Sequence, residues 1–249
     1  MKLYVLLLFP LILTSLLHAQ STDDLLKKGD QLDLALNNKE ALQVYLEADK
    51  LHPNDSHILH RISREYALMM ADVPTRKEKT ELATAALDYA LRAKTADPGN
   101  AKARLGLAIC YGRMAELQSP SKRVEYARKI EEEAQTSVKL DPTDDYAWHV
   151  LGRWNYEVAR LNPFLAFIVK GLYGKLPDAS NAKAIEYFTK AIAINPNRLI
   201  HHAEIGRTYA AAGNKALARK ELELALSMPD KEKDDEETKA RARAALAQL

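Results

Sequence analysis

The chain has 249 residues, with 36 Lys and Arg against 34 Asp and Glu and a formal net charge of +2. So close a balance argues against nucleic acid as a partner and against membrane adsorption through bulk charge. A single cysteine, Cys110, excludes an internal disulfide, so packing must hold the fold.

In chain order, Lys2, an apolar run over 3–17 and Ala19 before Gln20 read as a secretory signal peptide over 1–19. The run is short for a span and Pro10 interrupts it, so an exported chain, periplasmic or secreted, is expected rather than an anchored one. Residues 20–249 then form one domain of helical hairpins. The first, 22–53, turns at Asn37 and Asn38, with Asp23 and Asp24 at its positive dipole end. The second, 54–98, has Asp55 or Ser56 as cap and bends at Pro74 and Thr75. The third, 99–142, bends at Ser119, Pro120 and Ser121, with Ser121 capping a helix that begins at Lys122. The fourth, 143–196, carries an apolar insert at 161–176, and the fifth, 197–230, turns at Gly213 and Asn214. A last helix over 232–248 caps the stack. No segment alternates as a strand does, so the class is all-α.

The hairpins share a stripe. Ala41, Tyr45 and Ala48 recur as Ala184, Phe188 and Ala191 and as Ala218, Leu222 and Ala225, which is small, large, small on one helix face. Preceding helices carry Leu25, Gly29 and Leu32, or Ile205, Gly206 and Tyr209. Pro53, Pro98, Pro142, Pro196 and Pro229 end the second helices, because proline lacks the donor and biases its predecessor out of the helical region. The order resembles the tetratricopeptide repeat, which implies an α-solenoid of about five hairpins plus a capping helix.

The irregular spacing narrows the likeness. His149, Gly152, Trp154 and Tyr156, the insert ending near Pro177, then Tyr187, Phe188 and Ala191 before Pro196 resemble the regulator of microtubule dynamics family, as do Ser63, Tyr66 and Ala67 earlier. The resemblance covers roughly 51–249; the N-terminus departs, since animal members carry an organelle anchor there. It implies a non-enzymatic binding protein, with phospholipid in an apolar groove as the alternative.

On the concave face of such a solenoid, counting from the Leu-Gly positions puts Tyr146, His149, Arg153 and Tyr156 of the fourth hairpin inward. Arg207 of the fifth and Ile58 and Ile62 of the second join them, with Glu65, Ile200, Ala203 and Ala210 on the same count. Arg153 and Arg207 are equivalent, and either guanidinium suits a carboxylate or phosphate unless a Glu of the next helix pairs it. The Lys and Asn set of the known C-terminal-carboxylate clamp is missing. In the insert, Phe164, Phe167, Ile168 and Leu172 are candidate lipid contacts unless the segment packs inside the solenoid. His57 and His60 have a metal-compatible spacing but fall at packing positions, and no nucleophile-base set or phosphate loop is present. The expectation is therefore no enzyme, no cofactor and no metal, with a protein or peptide partner, possible phospholipid, no nucleic acid and no span beyond the signal.

Overall fold

Small residues set the distance between helices in this chain. In the computed structural model, which describes residues 21–175 and 177–249, all regular structure is helical; the expected signal peptide lies outside the described residues. The hairpins are α1 (Thr22–Leu34) with α2 (Asn38–Leu51), α3 (Ser56–Met69) with α4 (Arg76–Ala96), and α5 (Ala101–Glu116) with α6 (Pro120–Leu140). Then come α7 (Asp145–Ala159), α8 (Pro163–Tyr173) and α9 (Asn181–Ile194), followed by α10 (Leu199–Ala211) with α11 (Lys215–Ser227), and finally α12 (Asp235–Leu246). A 3-10 turn, Met70–Asp72, extends α3.

Side-chain acceptors start most of these helices, though not α6, whose N-cap Ser119 makes no side-chain cap hydrogen bond. Asp55 Oδ1 accepts the N–H groups of His57 and Ile58 at 2.8 and 3.1 Å, and Thr75 with Glu78 forms a reciprocal capping box on α4. The cap expected at Ser121 is Ser119 instead: α6 starts at Pro120, where a missing N–H costs nothing.

Gly29 and Gly206 of the predicted stripe are contact points, and so is Gly152. A Cβ on Gly29 would lie 2.3 Å from the Tyr45 ring, one on Gly152 2.7 Å from Phe188 and one on Gly206 2.8 Å from Leu222. Each large side chain of a second helix thus fills the hole opposite a glycine of the first, with fully buried alanines on both sides. In the second hairpin the seam is alanine-rich, at Ala83, Ala86, Ala90 and Ala93, and Ser63 Oγ donates to the Ala86 carbonyl at 2.8 Å. Cys110 Sγ lies 3.2 Å from that hydroxyl. Burial pushes the thiol up to about 11, which makes Cys110 core rather than a redox group.

The insert carries one helix, α8. Asn162 caps α8, Gly174 ends it at φ 75°, and it packs on α6. Phe164, Phe167 and Leu172 remain 63, 76 and 57% exposed, so the helix lies outside the solenoid core. At the other end α12 covers the faces of α10 and α11 that a further repeat would cover. No described helix is long and apolar enough to cross a membrane.

Candidate functional site

First helices of successive hairpins touch one another, α3 on α5, α5 on α7 and α7 on α10, on the side expected to be concave in such a solenoid. A cavity of about 700 Å³ lies there, walled by Ile109 and Arg113 of α5, Tyr146, His149 and Arg153 of α7, Ile200 of α10, and Glu237 and Arg241 of α12. Tyr146, His149 and Arg153 line this one cavity. Their i, i+3 and i+7 spacing puts them on one face of α7.

His149 is only 1% exposed and belongs to a relay. Arg198 donates to Asp145 Oδ2 at 2.6 Å, and the same oxygen lies 2.8 Å from His201 Nε2. The nearby Arg198 charge and the His201 hydrogen bond hold the Asp145 carboxyl below its usual range despite burial. An ionised Asp145 makes His201 Nε2 the donor, so His201 Nδ1 accepts from His149 Nδ1, 3.0 Å away. Burial lowers both imidazoles, outweighing the Asp145 carboxylate that opposes it at His201, and keeps them neutral. His149 Nε2 is left as an acceptor with no partner among the described residues.

The two equivalent arginines separate. Arg207 gives two hydrogen bonds, 2.9 and 2.7 Å, to the buried carboxylate of Glu204 one turn back on its own helix, and lies over the Tyr156 ring. It is thus paired, though by its own helix rather than the next. Arg153 has no hydrogen bond or ion pair among the described residues and faces the cavity.

Three expected groove residues are core. Ile58 and Ile62 pack with Leu25, Val44 and Tyr45, because on α3 the counted stripe faces the first hairpin. Tyr156 packs with Phe188, Ala184 and Ile205. Glu65 is buried too, accepting from Asn38 Nδ2 at 2.8 Å, and desolvation raises it to about 7. His60 lies under Gly106, and burial lowers it to about 3. Among the described residues no group of His, Cys, Asp or Glu is placed to hold a metal.

A second cavity of about 630 Å³ lies between α6, α7 and α8. Val124, Trp154, Leu161, Leu165 and Val169 supply its apolar wall, and Arg123, Arg160 and Lys175 line it too. It shares Arg123, Ala127, Trp154, Glu157 and Val158 with the concave cavity, so the two adjoin. On α8 itself the residues that line it are Leu165 and Val169, one turn apart. The expected Phe164, Phe167, Ile168 and Leu172 do not line it, and Phe164, Phe167 and Leu172 are exposed.

Counting missed Arg113 and the loop joining α11 to α12. Arg113 NH2 donates to Asp234 Oδ2 at 2.5 Å, Lys233 Nζ lies 2.8 Å from Asp72 Oδ1, and Arg198 Nε donates to Glu232 at 2.6 Å. A signal for Arg113 was present: a Gly-Arg pair recurs as Gly112-Arg113, Gly152-Arg153 and Gly206-Arg207.

A family model for regulator of microtubule dynamics protein 1-3 matches residues 24–249. Regulator of microtubule dynamics protein 3 of Xenopus laevis is 28% identical over 204 residues, which cover 81% of this chain and 44% of that protein. Regulator of microtubule dynamics protein 1 of Mus musculus is 26% identical over 207 residues, covering 82% and 67%. The chain thus spans 44 to 67% of the length of these two relatives. A solved tetratricopeptide-repeat protein of Thermus thermophilus superposes with a TM-score of 0.63 at 17% identity, covering 91% of this chain and all of that one. That likeness shows the fold, a tetratricopeptide-type solenoid. The expectation of a periplasmic or secreted protein is overturned, since the matched relatives are animal proteins named for microtubules, filaments that lie inside eukaryotic cells. With a family model spanning nearly the whole described chain, and the glycine-to-large packing and insert in the places the resemblance required, the chain belongs to the regulator of microtubule dynamics protein 1-3 family.

Proposed function

We propose that the chain is a non-enzymatic interaction module that holds a partner protein or peptide along its concave face. The observation that carries this is Arg153, a guanidinium without an acceptor among the described residues in a cavity of about 700 Å³, beside the orphan acceptor of His149. Buried polar groups normally find partners, and a cavity offering one donor group and one acceptor suits a polypeptide, which presents both. A photo-crosslinking residue at position 153, compared with one at Glu186 on the exposed side of α9, tests the reading. A specific adduct from 153 alone is expected; equal labelling from both positions, or none, would refute it.

The cavity beneath α8 favours a second reading, a phospholipid carrier, because apolar walls with cations beside them suit an acyl chain and its phosphate. Its size falls within the ~300–1,000 Å³ typical of small-molecule sites. Native mass spectrometry distinguishes it: a co-purifying lipid, lost in Leu165→Asp with helicity intact, supports the carrier, and bare protein from several preparations counts against it.

A further inference from the structure

The concave face already holds a peptide, the chain's own. Residues 230–237 carry six carboxylates and two lysines. The part between α11 and α12 crosses the first helices and is pinned at separate elements: Glu232 on Arg198, Lys233 on Asp72 and Asp234 on Arg113. The last two contacts join residues 161 and 121 positions apart. Asp235 holds the loop in shape by accepting the N–H groups of Lys231 and Glu232 at 2.7 and 2.8 Å. Asp234 lines both the large concave cavity and a neighbouring one of about 490 Å³, so the strap divides the groove.

These contacts show what the groove recognises. Arg113 and Arg198 are met by acidic side chains, while Arg153 shares a cavity with Asp234 and Glu237 and pairs with neither. We infer that the strap, 231–235, is an intramolecular ligand of the groove, and that the partner is an acidic peptide segment that displaces it from Arg113 and Arg198 and adds a pair to Arg153. The inference rests on the groove being the binding surface. Half-buried ion pairs of this kind exchange readily for equivalent ones, so a partner with one more carboxylate in register has the advantage. Competition of this sort makes occupancy depend on salt and on partner charge.

The test compares the wild-type chain with Glu232→Gln/Lys233→Gln/Asp234→Asn, which frees the strap but keeps Asp235 and α12. Fluorescein-labelled hexaglutamate is the probe, read by anisotropy. Binding about tenfold tighter to the variant is expected. The gain should shrink as salt rises, and Arg153→Gln should weaken binding to wild type and variant alike. Circular dichroism checks the fold, and Asp234→Asn alone, expected to give part of the gain, serves if the triple variant unfolds. Equal binding by wild type and variant, or binding indifferent to Arg153→Gln, overturns the inference. If a neutral peptide of equal length labels position 153 while hexaglutamate does not bind, the acidic partner is refuted and the groove reading stands. If no peptide binds the opened variant and position 153 captures nothing, both fall.

Discussion

Hairpins α7–α9 and α10–α11 are built on one plan and used differently. In each, a glycine of the first helix receives a large side chain of the second, Gly152 with Phe188 and Gly206 with Leu222, and an arginine follows the glycine. Two positions before each glycine the residues differ: Glu204 in α10 and Val150 in α7. Glu204, one turn before Arg207, consumes that guanidinium internally, whereas Val150 leaves Arg153 to the groove. A similar difference sits one residue earlier, where α7 has His149 of the buried relay and α10 has Ala203. Repeat packing is thus conserved between the hairpins while the side chains between the packing positions decide which hairpin offers chemistry.

The shared part of the plan should break hardest. Phe188→Ala empties the hole opposite Gly152 and is expected to cost about 3–5 kcal/mol, with Leu222→Ala at about 2–5 kcal/mol and below Phe188→Ala. Urea unfolding of the two variants measures this; a loss under 1 kcal/mol for Phe188→Ala would contradict the packing assigned to the stripe. Next comes the consumed arginine. Glu204→Val makes α10 resemble α7 and leaves Arg207 half-buried without its carboxylate, an expected loss of about 3 kcal/mol. A stability equal to wild type would mean that the Glu204 pair is not what spends Arg207.

The plan was legible in the sequence because helix packing is periodic and local: Tyr45, Phe188 and Leu222 could be aligned by their flanking alanines alone. The groove was only partly legible. Counting from the Leu-Gly positions placed Tyr146, His149 and Arg153 at the cavity, but it sent Ile58 and Ile62 to the concave face, whereas on α3 those positions pack into the first core. Arg113 with Asp234 could not be paired from spacing, since superhelical closure brings together residues that no local period relates. In α8 nearly every position is apolar, so no pattern distinguished the cavity side, Leu165 and Val169, from the exposed Phe167. Direction there is set by contact with α6, not by amphipathicity.

The relay gives a smaller, pH-dependent contrast. His149, His201 and His60 are kept neutral by burial, so the unfolded chain binds protons that the folded chain refuses. Their contribution is fully present above the ordinary histidine value of 6.5 and is lost as pH falls below it, for His60 down to about 3. Each histidine adds at most about 1.4 kcal/mol per pH unit to that slope. Thermal unfolding between pH 7.5 and 5 should show the decline, and His149→Ala, which gives α7 the residue of α10, should make it shallower. An unchanged slope would show that His149 is already protonated in the fold.

The smallest effect on stability is the sharpest on function. Val150→Glu copies the Glu204 arrangement into α7, three residues before Arg153, where Val150 lines the cavity and is half-buried. An i, i+3 ion pair at a partly exposed position changes stability by under about 1 kcal/mol. Yet it gives Arg153 an internal carboxylate, as Glu204 does for Arg207, and should weaken hexaglutamate binding to the strap-opened chain several-fold. The complementary exchange, Glu204→Gln, reaches the concave cavity only through Arg241, 3.8 Å from Glu204, and should change that binding less than Val150→Glu does. If the two substitutions act alike on the probe, the groove reads net charge near α10 and α7 without regard to position; only a larger loss from Val150→Glu assigns recognition to Arg153.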